Sequence, residues 1–387
     1  MFEYQQNHRY FAQAGKGLEQ LAQSELEELG AEDCIEGFCG VYFNASQETL
    51  YRINYCGRII SRVLAPLVSF PCTAEQVLYK KAQSVDWASI FPVEKTFAIF
   101  SSVSDSRITH SQFASLRLKD AIADYFRKKY GRRPDVNPEE PDVWLNLNIR
   151  KDQAVISLDT SGGSLHRRGY RKATVAAPIQ ETLAAAVIRI SGWPGPDDEI
   201  KPLLDPMCGC GTLLSEALMV YSRIPSGFKR TTFGFFHLPD FDFNLWRKVK
   251  NTCDGRIREY PQVAGERLIK GSDISLQAVE ASLRNLKEIP GGFRIPVQRK
   301  DFRDIRKAEN HVIITNPPYG VRMSDMENLQ VLFKDMGDFL KQRCLGSTAY
   351  ILVGNKELSK HIGLKIARRI PLFNGPLEIR LVKIEAY

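Results

Sequence analysis

The 387-residue sequence has no long apolar run and no secretion-type N-terminus. No stretch approaches the roughly 20 apolar residues that a transmembrane helix needs, so we expect no membrane partner. The first residues, Met1–His8, lack the basic start and the apolar core of a signal peptide. These two absences predict a cytoplasmic location.

Paired cysteines are also lacking. The eight cysteines form no C-x-x-C pair, and the six histidines do not cluster near them. A zinc site is therefore not expected, and we predict no bound metal. Scattered thiols are typical of a reduced, cytosolic protein. Cys208 and Cys210 are close in sequence, but we interpret them as small residues of a glycine-rich turn.

An even distribution of charge is also lacking. Residues 1–60 carry four Lys and Arg against nine Asp and Glu, whereas residues 101–175 carry 14 against nine. The net charge is +8. The basic excess is therefore not a uniform solubilising coat but is concentrated beyond an acidic N-terminal segment, which favours a polyanionic partner.

The pattern along the chain predicts three domains, at residues 1–60, 61–165 and 166–387. The first contains a leucine-rich helix that ends near Gly30 and a strand at 41–43. In the second, strands are predicted at 96–100, 143–149 and 154–158. A helix over 111–130 separates the first two of these strands, with one apolar face formed by Phe113, Leu116, Ile122, Tyr125 and Phe126. A Ser-Gly-Gly-Ser segment at 161–164 is interpreted as a hinge.

Strands and helices alternate in the last segment, which predicts a mostly parallel, doubly wound α/β sheet. The predicted strands are 201–204, 267–271, 295–299, 312–315, 349–353 and 379–384. Residues 222–264 form a long insertion rich in aromatic residues. We interpret this insertion as a packed structural lid and not as a base-stacking surface.

Three acidic residues follow the first three of these strands. The first strand runs into Asp205-Pro206-Met207-Cys208-Gly209-Cys210-Gly211-Thr212, a Gly-x-Gly turn of the kind that binds adenosine-containing cofactors. A dinucleotide site would need a third glycine where Leu214 stands, and no Gly-Lys-Ser/Thr of a P-loop follows. Asp273 is positioned for the ribose hydroxyls of an adenosyl group. Asp301 is positioned for an adenine amine, with the ring of Phe302 packing on the base.

The fourth strand ends in Asn316-Pro317-Pro318-Tyr319, followed by Gly320. Two prolines fix the backbone and supply no amide hydrogens. The side-chain oxygen of Asn316 and the carbonyl of Pro317 can then both accept from one exocyclic amine of a nucleobase. Tyr319 offers a flat face for a displaced base. The sequence thus predicts a site for a base amine beside a donor cofactor.

These motifs resemble those of class I S-adenosylmethionine-dependent amino-methyltransferases. The similarity is strongest to THUMP-domain RNA methyltransferases, in particular the bacterial 23S rRNA guanine-N2-methyltransferases. Residues 177–184 resemble the helix before the donor loop, 117–160 the THUMP pattern, 165–171 the bridge and 374–378 a C-terminal hairpin. One departure is Cys210, where serine is usual. The resemblance implies a ferredoxin-like α+β domain, a THUMP domain and a seven-stranded Rossmann-like catalytic domain.

The candidate site residues form three groups. The catalytic residues are Asn316, Pro317, Pro318 and Tyr319. The donor-binding residues are Gln180, Glu181, Asp205, Pro206, Cys208, Gly209, Gly211, Thr212, Asp273, Ile274, Asp301, Phe302 and Asn316. The phosphate-binding candidates are Lys128, Lys129, Arg132, Arg133, Arg167, Arg168 and Arg171, of which the bridge arginines 167, 168 and 171 are favoured.

The resulting hypothesis is transfer of a methyl group from S-adenosylmethionine to guanine N2 in 23S rRNA. A tRNA guanine-N2 enzyme and an adenine-N6 nucleic-acid methyltransferase stay open, because the tetrapeptide serves adenine as well. A non-catalytic RNA-binding assembly factor is the alternative from another class. The choice of guanine rests on the resemblance alone, and the oligomeric state is open.

Overall fold

The computed structural model describes residues 1–175, 178–196, 199–261, 268–318, 326–375 and 377–387. The chain divides into two compact units. The N-terminal unit comprises Met1–Ala14, Ala22–Leu165 and Arg230–Thr252, and the catalytic unit comprises Gly15–Leu21, His166–Lys229 and Cys253–Tyr387. Within the described ranges, no helix has both the length and the apolar character that a bilayer crossing requires.

The helices and strands of the first part of the chain build the N-terminal unit. They are α1 (Glu3–Asn7), β1 (Arg9–Ala14), α2 (Glu19–Glu28), β2 (Glu32–Gly37), β3 (Gly40–Asn44), α3 (Gln47–Cys56), β4 (Ile60–Pro71), α4 (Glu75–Gln83), β5 (Phe97–Ser104), α5 (Ser111–Tyr130), β6 (Val143–Arg150) and β7 (Gln153–Asp159). Their strands form one seven-stranded sheet in the order β2-β3-β1-β4-β7-β6-β5. The predicted division at residue 60 therefore does not separate two sheets, because the long strand β4 joins both halves.

Helix α5 confirms the predicted helix over 111–130, and it ends at Gly131, whose φ of 74° closes the last turn. Its predicted apolar face is wrong in part. Phe113 and Leu116 are 44% and 46% exposed, whereas Ala114, Leu118 and Ala121 are buried. Positions 114, 118, 121, 122 and 126 follow the helical spacing of one buried face, and Phe113 and Leu116 lie outside it.

The glycine-rich segment 161–164 is a clamped turn and not a free hinge. The buried carboxylate of Asp159 accepts from the backbone N–H groups of Ser161 and Gly163, and it pairs with Arg62. The Arg230 guanidinium donates to the carbonyls of Ser161, Gly162, Gly163 and Ser164. Hydrogen bonds from both sides thus hold the turn in one conformation.

The aromatic insertion was predicted to be a packed structural lid, and its central part is packed inside the N-terminal unit. Residues 230–252 belong to the N-terminal unit, and their rings pack inside it. Phe235 lies 4.5 Å from Tyr51 between ring centroids, and Trp246 lies 5.3 Å from Tyr55. The backbone N–H of Phe235 also donates to Thr160 at 2.8 Å. The insertion extends the core of the N-terminal unit.

The second part of the chain alternates strands and helices as predicted. Its elements are α6 (Glu181–Ser191), β8 (Leu203–Asp205), α7 (Thr212–Tyr221), α8 (Phe243–Asp254), β9 (Ile269–Asp273), α9 (Leu276–Lys287), β10 (Val297–Arg299), β11 (Val312–Thr315), α10 (Met326–Arg343), β12 (Thr348–Val353), β13 (Ile366–Asn374) and β14 (Leu377–Glu385). Most of α8 lies in the N-terminal unit.

The strands of the catalytic unit form a seven-stranded sheet in the order β10-β9-β8-β11-β12-β14-β13. The first five run parallel, and β14 pairs antiparallel with both β12 and β13. This arrangement confirms the predicted doubly wound sheet. Strand β13 was not predicted, because it lies at the edge of the sheet and its sequence contains Arg368, Arg369 and Pro371. The strand order reverses at β8, because β9 and β10 lie on one side of it and β11 and β12 on the other. The strands are parallel, so the loops after β8, β9, β10 and β11 lie at the same edge of the sheet.

Candidate active site

A cavity of about 770 Å³ lies at the carboxyl ends of the parallel strands. The loops after β8, β9, β10 and β11 all contribute to it, together with residues 174–175 and 178–179 of the bridge. Its lining includes Asp205, Pro206, Cys208, Gly209, Thr212, Asp273, Ile274, Asp301, Phe302, Asn316, Pro317 and Pro318. The tertiary structure thus brings together most of the residues that the sequence singled out.

Asp205 ends β8 and is 1% exposed. Its Oδ1 accepts from the Thr315 hydroxyl at 2.8 Å and from the Met207 N–H at 3.2 Å. Removal from water raises the pKa of this carboxyl to about 7, although these two hydrogen bonds favour the ionised form. Asp205 therefore titrates close to neutrality in the folded protein.

We expect the free energy of unfolding to fall as pH rises from about 4 to about 7 through this group. In that range the folded protein keeps a proton on Asp205 that the unfolded chain has released. Asp205→Asn removes the titration while keeping an acceptor oxygen, so its pH dependence is flatter by at most about 1.4 kcal/mol per pH unit. Urea unfolding at pH 5 and 7.5 measures the difference. An unchanged slope in Asp205→Asn, or an equal change in the exposed control Asp304→Asn, contradicts this expectation.

The glycine turn after β8 has a conformation that side chains would disturb. Gly211 has a φ of 77°, and a Cβ on it would come within 2.7 Å of the Ser282 hydroxyl. That hydroxyl donates to the Gly209 carbonyl at 2.8 Å. The Gly209 N–H donates to Asp273 Oδ2 at 2.9 Å. Asp273 therefore shapes the turn while it lines the cavity.

Asn285 on α9 is a site-forming residue that the sequence analysis missed. Its Oδ1 accepts from the N–H groups of Lys172 and Ala173 at 2.7 and 2.9 Å. Its Nδ2 donates to the carbonyls of Ala173 and Cys210, each at 2.9 Å. This buried amide ties the bridge to the glycine turn. The sequence did contain a signal for this role, because Asn285 is a polar residue on the apolar face of α9.

The bridge arginines 168 and 171 have structural partners, which corrects their prediction as phosphate contacts. Arg168 is 1% exposed, and its Nε lies 3.4 Å from Oε1 of the buried Glu216. Arg171 donates to Glu181 Oε1 at 2.8 Å, to the Ile179 carbonyl at 2.9 Å and to Cys210 Sγ at 3.3 Å. Both guanidinium groups thus form ion pairs within the catalytic unit. Arg167 is exposed, so its predicted phosphate contact stays a prediction.

Two of the donor-binding predictions, Gln180 and Glu181, lie at the start of α6. Neither belongs to the described cavity lining. Gln180 is an exposed N-cap residue, and Glu181 is buried in its pair with Arg171. Glu181 thus supports the donor site only indirectly: it binds Arg171, and Arg171 contacts Cys210 in the glycine turn. Cys210 itself is 3% exposed and does line the cavity.

The loop after β10 carries Asp301 and Phe302. Asp301 accepts from the Arg303 N–H and pairs with Arg303 Nη1, each at 2.9 Å. Arg303 Nε also contacts Asp335 of α10 at 2.8 Å. Phe302 is 3% exposed, and its ring packs edge-on against Phe339 at 5.7 Å between centroids. The ring therefore supports the cavity wall from the core. Because Phe302 also lines the cavity, its packing on an adenine base stays a prediction.

The tetrapeptide after β11 reaches the cavity through its first three residues. Asn316 is half-buried, Pro317 is buried and Pro318 is exposed. Among the described residues, Asn316 Oδ1 is a buried oxygen without a hydrogen-bond partner. Buried polar atoms are nearly always paired, so this acceptor is suited to a ligand donor. Tyr319 and Gly320 lie outside the described residues.

The four basic residues at the end of α5 are all exposed in the N-terminal unit. Lys129 lies 3.5 Å from Asp86, and Arg132 pairs with Glu94. Such surface pairs contribute about 0–1 kcal/mol and leave the cations accessible to a phosphate. Contact of Lys128, Lys129, Arg132 and Arg133 with RNA stays a prediction. In the described part of the chain, no group of His, Cys, Asp and Glu has the arrangement of a metal site.

Comparison with known families assigns all three parts of the chain. Residues 168–383 match an RMKL-like methyltransferase domain, residues 72–159 a THUMP domain, and residues 9–64 an RlmL ferredoxin-like domain. The chain belongs to the RMKL-like methyltransferase family. The resemblance inferred from the motifs is confirmed.

Relatives from several bacteria cover nearly the whole chain. A Synechocystis protein named as an RNA methyltransferase, slr0064, is 40% identical over 98% of this chain and 97% of its own length. The ribosomal RNA large subunit methyltransferase K/L of Methylococcus capsulatus is 40% identical over 96% of this chain, and that of Syntrophotalea carbinolica 36% over 97%. The chain spans about half of the length of these K/L proteins.

Solved structures with the same fold cover both units. SMU.472, described as a methyltransferase and solved with SAH, has a TM-score of 0.82 at 29% identity, over 98% of each chain. A Listeria monocytogenes protein, described as a predicted N6-adenine-specific DNA methylase, has a TM-score of 0.82 at 26% identity. It is matched over 98% of this chain and 96% of its own. This RMKL-like family member therefore combines a ferredoxin-like part, a THUMP domain and a methyltransferase domain.

Proposed function

We propose that this protein transfers a methyl group from S-adenosylmethionine to an exocyclic amine of a nucleobase in RNA, with guanine N2 of 23S rRNA as the substrate. The observation that carries the proposal is the buried Asn316 Oδ1 in the cavity lining, which has no hydrogen-bond partner among the described residues. A base amine supplies the donor that this acceptor lacks. The names of the K/L relatives support large-subunit rRNA as the substrate class.

The cavity fits the cofactor of a methyltransferase. Asp273 would accept from the ribose hydroxyls, and Asp301 would accept from the adenine amine, since both line the cavity. The glycine turn lets the backbone approach the ligand without side-chain obstruction. S-adenosylmethionine supplies an electrophilic methyl group. The SAH bound to the structural neighbour SMU.472 supports this assignment.

The chemistry that the chain provides is positioning of the nucleophile. A base amine is a weak nucleophile, because its lone pair is delocalised into the ring. Acceptance of its N–H bonds by Asn316 Oδ1 and the Pro317 carbonyl would pull the nitrogen toward tetrahedral geometry and direct its lone pair at the methyl carbon. The C–S bond breaks as the N–C bond forms, and the proton released from nitrogen goes to water. Orientation and electrostatics therefore supply the catalysis.

Two features support RNA as the polymer. The THUMP match covers residues 72–159, and the exposed basic residues at the end of α5 lie within it. Arg167 adds an exposed cation in the bridge. Phosphate contacts of this kind position a nucleic acid without reading its bases. The target base must be unpaired or leave its stack before its amine can reach Asn316.

Transfer of labelled methyl groups tests the proposal. We expect the purified protein to label large-subunit rRNA isolated from cells that lack the gene, and digestion should yield N2-methylguanosine by mass spectrometry. RNA from cells that have the gene should accept much less label, because its site is already methylated. Labelling of tRNA, N6-methyladenosine or labelled DNA would each favour one of the alternative substrates. Absence of S-adenosylmethionine binding by calorimetry would favour a non-catalytic RNA-binding factor.

A further inference from the structure

A second cavity, of about 140 Å³, lies in the catalytic unit next to the first. Its lining is basic. The residues are Leu204, Lys270, Gly271, Ser272, Pro296, Gln298, Lys300, Ile305, Lys307, Ala308 and His311. Three lysines and one histidine are present without a carboxylate. Nothing in the proposed methyl transfer uses this cavity.

The cavity exists because one crossover lacks an α-helix. The connection from β10 to β11 contains only a short 3₁₀ turn at Phe302–Asp304. A Cβ on Gly271 would come within 2.4 Å of Leu214 on α7. The neighbouring Lys270 and Ser272 therefore project to the opposite face of the sheet. The loop 300–311 covers that face incompletely, and the gap beneath it is the basic cavity.

The three lysines of this cavity differ in their side-chain contacts. Among the described residues, no hydrogen bond, ion pair or ring contact joins the ammonium groups of Lys270 and Lys300 to another side chain. Lys307, in contrast, pairs with Glu309 at 2.8 Å. Ammonium groups beside a concave surface raise the local concentration of anions. Lys270 and Lys300, which have no side-chain partner in the described part of the chain, therefore predict that the cavity attracts anions.

We propose that this basic cavity binds a phosphate group through Lys270 and Lys300. Lysine binds phosphate as a compact charge with rotatable donors, and the Gln298 amide offers a neutral donor nearby. The small volume of the cavity, about 140 Å³, suits one tetrahedral oxyanion. The phosphate comes either from the RNA backbone or from free inorganic phosphate.

The position of the cavity links it to the methyl-donor site. Leu204, Ser272 and Lys300 line the basic cavity, and the next residue of each pair, Asp205, Asp273 and Asp301, lines the large cavity. The Lys300 N–H also donates to the Asp273 carbonyl at 2.9 Å. Lys300 thus directly precedes Asp301 in sequence and is hydrogen-bonded to the backbone of Asp273. These are the two residues whose carboxylates are assigned to the adenosyl group.

Inorganic phosphate is the first probe. In calorimetric titrations and thermal unfolding at constant ionic strength, sodium phosphate should bind and raise the unfolding midpoint relative to sodium chloride. In Lys270→Gln/Lys300→Gln we expect at least tenfold weaker binding and loss of the specific midpoint rise. Lys287→Gln/Lys341→Gln removes two exposed charges of the same unit and should keep both responses.

A single-stranded RNA oligonucleotide is the second probe, and this part rests on the proposed function. RNA binding is measured as the slope of the logarithm of the binding constant against the logarithm of the salt concentration. If the phosphate belongs to RNA, this slope should be less steep in the cavity variant than in the control variant, by about 0.7 per lost phosphate contact. Lost phosphate binding with unchanged RNA binding assigns the site to free phosphate. A phosphate response that needs Lys270 and Lys300 in a protein that binds no RNA would refute the proposed function and keep the cavity assignment. Phosphate and RNA binding that are the same in both double variants would overturn the inference.

Discussion

Asn316→Ala is expected to lower the rate of methyl transfer by about 10²- to 10³-fold, the usual effect of removing one preorganised hydrogen-bonding group from a reacting centre. The substitution deletes the buried Oδ1 that has no partner among the described residues. The base amine then loses its acceptor, and its lone pair is no longer directed at the methyl carbon. Single-turnover transfer to rRNA measures the rate.

Donor binding should be affected much less by this substitution. Asn316 is one of many residues that line the cavity, and Asp273 and the glycine turn are untouched. Calorimetry with S-adenosylmethionine should therefore give a dissociation constant close to that of the unmodified protein. Loss of transfer together with loss of donor binding would instead place Asn316 in the donor site alone.

Two further variants sharpen the comparison. Asn316→Asp keeps an acceptor oxygen at the same position, so it should retain more activity than Asn316→Ala. Asn355→Ala removes the same atoms from an exposed asparagine after β12, whose Oδ1 accepts from the Glu357 N–H. This control should transfer methyl groups at the normal rate. Full activity in Asn316→Ala would refute the proposed mechanism.

Arg168→Met is expected to destabilise the catalytic unit by about 3–5 kcal/mol, the range for breaking a buried ion pair by removing one partner. Arg168 and Glu216 are 1% and 0% exposed. Without the guanidinium, the buried Glu216 still accepts from a neutral donor, the Tyr170 hydroxyl at 3.0 Å. A carboxylate left in that environment loses its compensating charge. Urea unfolding of the full chain measures the loss.

The neighbouring Arg167 supplies the matched control. Its side chain is exposed, so Arg167→Met should change the free energy of unfolding by no more than about 0.5 kcal/mol. The double variant Arg168→Met/Glu216→Leu removes both charges and should be more stable than Arg168→Met alone. Equal unfolding free energies for Arg167→Met and Arg168→Met would contradict the structural role of Arg168.

The two arginines also show why a charge pattern alone misled the prediction. Arg167, Arg168 and Arg171 form one basic run in the sequence and were predicted together as phosphate contacts. Two of them have acidic partners that lie 48 and ten residues further along the chain. Only folding brings Glu216 and Glu181 to them. Asn285 was missed for the same reason, because its four hydrogen bonds join it to Lys172 and Ala173 and to Cys210 in the glycine turn.

The sequence by itself determined the family, the order of strands and helices in the catalytic unit, and the tetrapeptide Asn316–Tyr319, because these depend on local periodicity and short motifs. Tertiary structure alone decided that the first two predicted domains share one sheet, since β4 pairs with strands from both. It also decided where residues 230–252 pack. Arg168 and Arg171 are held in ion pairs, whereas Lys270 and Lys300 have no side-chain partner within the described ranges. This difference depends on partners distant in sequence, and no local pattern encodes such partners.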